Sequence, residues 1–119
     1  MTDGEAWADE ERFWTAAETY WREALHPQCI MAFPLPAGIM AGAEILESLK
    51  GAPRWLSVEM TDRRLGRFSD DLVVLGYRAT GWRAEGAPYR ALCTSAYRGS
   101  GRRWLLVQHQ QTPVAPTTL

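Results

Sequence analysis

The sequence predicts an α+β fold: a strongly curved antiparallel sheet wrapped around a long N-terminal helix, with a second short helix. Three observations carry this. Apolar residues recur at helical spacing over residues 5–25, at Ala6, Phe13, Trp14, Ala17, Tyr20, Trp21, Ala24 and Leu25. From Trp55 onward the chain is long β-rich runs punctuated by short turn signals. Strands of ten or more residues cannot stay flat, and their right-handed twist curls the sheet around whatever packs on its inner face.

The elements follow in order. The first helix carries Asp9, Glu10 and Glu11 in its first half, as the helix dipole favours, and His26-Pro27 is expected to end it. Cys29–Phe33 is a short apolar run between Pro27 and Pro34, read as a strand. The stretch 34–42 holds two prolines and two glycines and must turn. Ala43–Lys50 reads as the short helix, with Ile45, Leu46 and Leu49 on one face, Gly51 as a left-handed cap and Pro53 as a stop. Trp55–Arg67, Leu72–Arg83, Tyr89–Arg98 and Arg103–Gln111 are the four long strands. They are joined at Ser69-Asp70-Asp71, Ala84–Pro88 and Gly99-Ser100-Gly101 as an antiparallel meander. Residues 1–119 are expected to form one domain, with a loose tail over about 114–119.

Composition narrows the function classes. Thirteen basic against 14 acidic residues leave no basic face to displace counterions from phosphates, which argues against a nucleic-acid partner. No apolar run reaches a membrane span and no signal peptide is visible, so no membrane is expected and the location is read as cytoplasmic. Cys29 and Cys93 form no CxxC pair and read as free, buried thiols of a reducing compartment. No cofactor is indicated: the two histidines, His26 and His109, have no metal-ligand spacing, and no phosphate loop or Ser–His–Asp set is present. Six tryptophans in so short a chain suit the lining of a cavity or an interface.

Several residues at the joints of these elements carry a family likeness. They are Glu11-x-Phe13-Trp14, then Met31-Ala32-Phe33-Pro34 leading to Gly38 and Gly42, and Ala52-Pro53-Arg54-Trp55. Further along come Tyr77-Arg78-Ala79, Tyr89-Arg90-Ala91-Leu92, and Trp104-Leu105 running into His109-Gln110-Gln111-Thr112-Pro113. In this order and spacing, from about residue 8 to 113, the chain resembles the nuclear transport factor 2-like superfamily. The likeness is closest to its SnoaL-like and ketosteroid-isomerase-like bacterial proteins of unknown function. The resemblance implies a cone open at one end, commonly a homodimer through the outer sheet face.

The resemblance also sets which strand faces look inward. It places Leu105, Val107, His109 and Gln111 of the last strand inside, with Tyr89, Ala91, Cys93, Ser95 and Tyr97 of the strand before it. Val73, Leu75, Tyr77 and Ala79 follow, and Met31 and Phe33 of the first strand. Trp14 and Trp55 would close the cavity. The expected pocket lining is therefore Trp14, Met31, Phe33, Trp55, Tyr77, Cys93, Ser95, Tyr97 and Gln111. His109 is the candidate acid/base because only histidine titrates near neutrality unaided. Asp62 and Asp71 are the carboxylates expected to orient it. The outer set Leu92, Thr94, Ala96, Trp104 and Leu106 is expected to form the homodimer interface.

The resemblance also removes one mechanism. Ketosteroid isomerases carry a carboxylate base just before a proline at the end of the first strand, where Phe33 stands here, and a second carboxylic acid near the position of Ser95. The Asp–Arg–Asp set of related epoxide hydrolases is not evident. Three functions stay open: a small-molecule-binding domain with an aromatic, mostly apolar pocket; a lyase, isomerase or cyclase acting on a small hydrophobic substrate through His109; and a dimeric association module without a ligand. The alternative to an open pocket is a filled core in which the inward polar groups satisfy one another.

Overall fold

The computed structural model describes residues 1–115. Two helices, α1 (Asp3–Thr15) and α2 (Glu18–Ala24), lead into β1 (Leu25–Ala32). A short strand β2 (Ile39–Ala41) and a short helix α3 (Ala43–Ser48) follow. The chain then runs through β3 (Ser57–Ser69), β4 (Leu72–Trp82), β5 (Tyr89–Ser100) and β6 (Arg103–Pro113). The strands form one sheet in the order β2-β1-β6-β5-β4-β3. This is the curled sheet around helices that the sequence predicts, with two differences. The residues 39–41, inside the stretch read as turn, pair with β1 as a sixth strand, and β1 runs parallel to β6 while every other pair is antiparallel.

The helix expected over 5–25 is broken at Ala16 and Ala17, both extended (ψ 156° and 173°). Neither glycine nor proline marks the break. Its cause is distant: the Arg54 guanidinium donates to the carbonyls of Phe13 (2.5 Å), Trp14 (2.8 Å) and Ala16 (3.1 Å). These are the groups a helix C-terminus leaves without partners, and a cation there also meets the negative end of the helix dipole. Thr2 and Glu5 close the other end of α1 as a capping box.

The inward face of the sheet is regular on β4 and β5. Val73, Leu75, Tyr77 and Ala79 are buried, as are Ala91, Cys93, Ser95 and Tyr97. On β6 the alternation changes phase. Ala96 pairs with Gln108 but Tyr97 pairs with Leu106, so Val107 is an extra residue in a β-bulge. His109 and Gln111 beyond the bulge stay on the inner face. Before it, Leu106 and Trp104 occupy that face instead of Leu105 and Val107: Leu106 is buried, and Trp104 is half-buried against the core and lies over Gly99. The expected outer, dimer-forming positions of Trp104 and Leu106 are therefore corrected, because one extra residue inverts every side chain on its far side.

Gly42 enters α3 at φ +56°, with a hypothetical Cβ only 2.9 Å from the Pro27 carbonyl oxygen, so this joint requires glycine. Of the tail expected over 114–119, the Val114 N–H donates to the Arg90 carbonyl, and residues 116–119 lie outside the described residues. Among the described residues no helix is long and apolar enough to cross a membrane.

Candidate functional site

The inner space of the curled sheet is divided in two. One part is filled, around a carboxylate. Ala6, Glu10, Phe13 and Trp14 share one face of α1, and this face packs into the sheet. Glu10 has no exposed surface. It accepts hydrogen bonds from the hydroxyls of Tyr77, Ser95 (2.6 Å) and Tyr97 (2.5 Å). The Trp14 Nε1–H donates to the Tyr77 oxygen at 3.0 Å, which leaves the Tyr77 proton for Glu10. Burial by itself raises the Glu10 pKa, but His109 and these hydroxyls outweigh it and hold the group below the ordinary glutamate value. The same buried negative charge acts in the opposite sense on the phenols. Burial first, and Glu10 second, push Tyr77 and Tyr97 well above the usual tyrosine value.

His109 joins this cluster to the other part of the interior. Its Nδ1 lies 2.6 Å from Ser95 Oγ and 3.4 Å from Glu10 Oε2. Its Nε2 lies 3.1 Å from the Gln111 amide nitrogen. Proton bookkeeping then assigns one arrangement. An amide NH₂ only donates, so Nε2 accepts and Nδ1 carries the ring proton. The Nδ1–H donates to Ser95, and Ser95 donates to Glu10. The chain Glu10–Ser95–His109 thus leaves the Nε2 lone pair directed toward Gln111. The tautomer follows from the hydrogen-bond partners and the amide orientation assigned to Gln111.

The second part is an open cavity of about 420 Å³. His109 and Gln111 line it, with Trp14, Met31, Phe33 and Trp55 from the expected set. Trp14 meets the His109 ring edge-on (89°, centroids 6.5 Å apart) and Phe33 lies 5.8 Å from it. Tyr77, Cys93, Ser95 and Tyr97 do not line the cavity, which corrects their expected place. They face inward, but α1 covers that half of the sheet and Glu10 takes up the hydroxyls. Asp62 and Asp71 are exposed, each beside an arginine, Arg64 (2.7 Å) and Arg98 (3.8 Å), and neither reaches His109. The carboxylate behind the histidine is Glu10.

Sequence reasoning passed over Glu10 as one more acid in the first half of the helix. Its signal was its spacing, four residues after Ala6 and three before Phe13. The α2–α3 side of the lining was also missed: Trp21, Ile45, Leu49, Arg54 and, from β6, Leu106 all border the cavity. Burial pushes the thiols of Cys29 and Cys93 up to about 12, so neither is a ready nucleophile. Among the described residues no cluster of His, Cys, Asp and Glu is placed to hold a metal.

The outer face of β5 and β6 is more polar than the expected interface. Thr94 donates to Gln110 at 2.8 Å and Gln110 donates to Thr112 at 2.6 Å, beside Leu92, which is 47% exposed, and Ala96.

The fold is that of the nuclear transport factor 2-like proteins. An NTF2-like protein from Cytophaga hutchinsonii superposes with a TM-score of 0.76 at 14% identity, over 96% of this chain and all of the other. A Parabacteroides distasonis protein, provisionally named a ketosteroid isomerase, gives 0.74 at 18% identity over 91% and 83% of the two chains. The CaMKII hub homology domain of Chlamydomonas reinhardtii gives 0.74 at 17% identity over 94% and 98%. Neighbours of this fold thus bear the names of isomerases and of association domains. No family model matches the chain, and no curated protein matches it.

Replacing Glu10 by Gln keeps the shape but turns an NH₂ toward hydroxyl donors, at an expected cost of about 2–4 kcal/mol at neutral pH. Because the folded-state pKa of Glu10 lies below its ordinary value of 4.5, its stabilisation is fully present above that value and is lost as pH falls through the folded one. In urea denaturation across pH 3–7, the gap between wild type and Glu10→Gln should therefore narrow toward low pH. A gap that stays constant would show that the carboxylate charge does not stabilise the fold.

Proposed function

We propose that the protein binds a small, largely apolar molecule in the 420 Å³ cavity, oriented by hydrogen bonds to Gln111, and to His109 where a ligand donor replaces the Gln111 amide at Nε2. The observation that carries this reading is the division of the interior. The polar groups that a filled core would have to satisfy, Tyr77, Ser95 and Tyr97, are already consumed by Glu10. The remaining space is walled by aromatic and aliphatic side chains with few polar groups, the composition of small-molecule sites.

A second reading is favoured by one specific observation, the Glu10–Ser95–His109 chain. A histidine whose Nδ1–H is held from behind by a carboxylate through a serine keeps its Nε2 lone pair toward the cavity, where a substrate proton reaches it once the Gln111 amide moves aside, and a positive charge formed there lies beside Glu10. In that reading His109 removes a proton from carbon next to a carbonyl of the bound molecule and returns it there or to a neighbouring atom. This is isomerase-type chemistry with the base on β6, not at the position of Phe33.

The uncharged fluorophore N-phenyl-1-naphthylamine tests the first reading. It should bind saturably at one site, and Leu49→Trp, which fills the cavity, should weaken it by about ten-fold or more, or about 1.4 kcal/mol. Equal binding to both proteins would place the dye elsewhere and remove the reading. For the second, proton NMR in D₂O should show wild type accelerating deuterium exchange next to the carbonyl of 1-tetralone, a bicyclic apolar ketone. His109→Gln should not accelerate it. Equal rates with the two proteins would leave only binding.

A further inference from the structure

One stretch of the cavity wall is made of Trp21, Arg54, Trp55, Arg83 and Tyr89. The Arg83 guanidinium lies 4.0 Å over the Trp55 ring, and Trp55 stacks on Tyr89 (centroids 5.4 Å apart, 18° between planes). Arg54 lies 5.0 Å over Trp21. Charge around this cavity is of one sign. No aspartate or glutamate lines it, and among the described residues neither Arg54 nor Arg83 ion-pairs with a carboxylate. The two cations also sense each other: the Arg54 pKa is lowered, by burial first and by Arg83 second.

The hydrogen-bonding capacity of the same wall is similarly one-sided. Among the described residues the Trp21 Nε1–H and the Tyr89 hydroxyl have no partner; both atoms are covered by neighbouring side chains, although their rings border the cavity. Trp21 can only donate. Arg54 is fixed by the α1 carbonyls, whereas Arg83, exposed at the cavity rim, is held among the described residues by stacking alone, which leaves the edge of its guanidinium, with its N–H groups, to a ligand. A cavity wall with two cations and no acid is complementary to an anionic oxygen group.

We propose that Arg83, with Arg54 behind it, forms a subsite for a carboxylate or similar oxyanion, so that the ligand is an amphipathic acid whose apolar body lies against Met31, Phe33 and Leu106. This rests on the reading that the cavity binds an apolar molecule, and the two fail in different ways. Arg83 holds the anion's charge directly. Arg54 supplies a fixed positive field, because its N–H groups are largely committed to the helix.

Two naphthalene dyes that differ by one sulfonate separate the claims. 8-Anilino-1-naphthalenesulfonate should bind wild type about ten-fold more tightly than uncharged N-phenyl-1-naphthylamine at low salt, and the advantage should shrink as salt rises. Arg83→Gln should remove that advantage and leave the uncharged dye within about two-fold of its wild-type affinity. Decanoate should displace the sulfonate more strongly than 1-decanol does. Equal affinity of the two dyes for wild type, or an unchanged sulfonate affinity in Arg83→Gln, would overturn the subsite while leaving apolar binding in place. Failure of both dyes to bind would overturn the binding reading itself. Sulfonate binding that survives Leu49→Trp would place the anion on the outer surface and also overturn the proposal.

Discussion

A glutamate with no exposed surface must find nearly all of its solvation inside the protein, and Glu10 does so by drawing in three hydroxyls from two strands. Desolvating a carboxylate costs several kcal/mol, so the fold tolerates it only while Tyr77, Ser95 and Tyr97 all reach it. That requirement fixes the rotation of α1 and its position along β4 and β5. It also fixes Trp14, whose indole N–H completes the Tyr77 hydrogen bonds and whose ring borders the cavity beside His109. The polar cluster thus acts on the open half of the interior through one tryptophan and one histidine.

The cavity persists because the elements around its mouth are held by groups unrelated to a ligand. Arg54 stops α1 by taking three of its last carbonyls, which allows α2 to turn away and bring Trp21 to the wall. Gly42 brings α3 close to β1, which places Ile45 and Leu49 on the cavity. The bulge at Val107 lets Leu106 and His109, three residues apart, face the same space. Each device relieves a backbone constraint, and together they leave a volume that α1 does not fill.

Much of this fold was legible in the sequence because period-2 and period-3.6 patterns record which residues are buried. The long strands and their turns emerged close to where the alternation placed them; parity grouped the residues of β4 and β5 that share a face, and the family resemblance chose the inward set. What escaped depends on contacts distant in sequence. The break at Ala16-Ala17 is stabilised by an arginine some 40 residues away, and alanine gives no local sign of it. A bulge changes parity without altering composition, so Leu106 read as outward. Glu10 read only as one of three acids favoured by the helix dipole. Its spacing from Ala6 and Phe13 pointed inward, but the hydroxyls that make burial tolerable lie on β4 and β5. Phe33, at the position of the isomerase base by resemblance, left His109 as the acid/base candidate, and the carboxylate beside it came from the helix, not from Asp62 or Asp71.

The central claim is that the buried carboxylate, through Ser95, fixes the proton of His109 on Nδ1 and leaves Nε2 unprotonated at the cavity. Long-range ¹H–¹⁵N correlation NMR of the histidine side chains at neutral pH reads this directly. The account predicts that His109 is in the Nδ1–H tautomer, with Nε2 at the nitrogen shift of an unprotonated ring nitrogen. A wild-type His109 found in the Nε2–H tautomer would contradict it, since Ser95 would then have to donate to the ring and could no longer donate to Glu10.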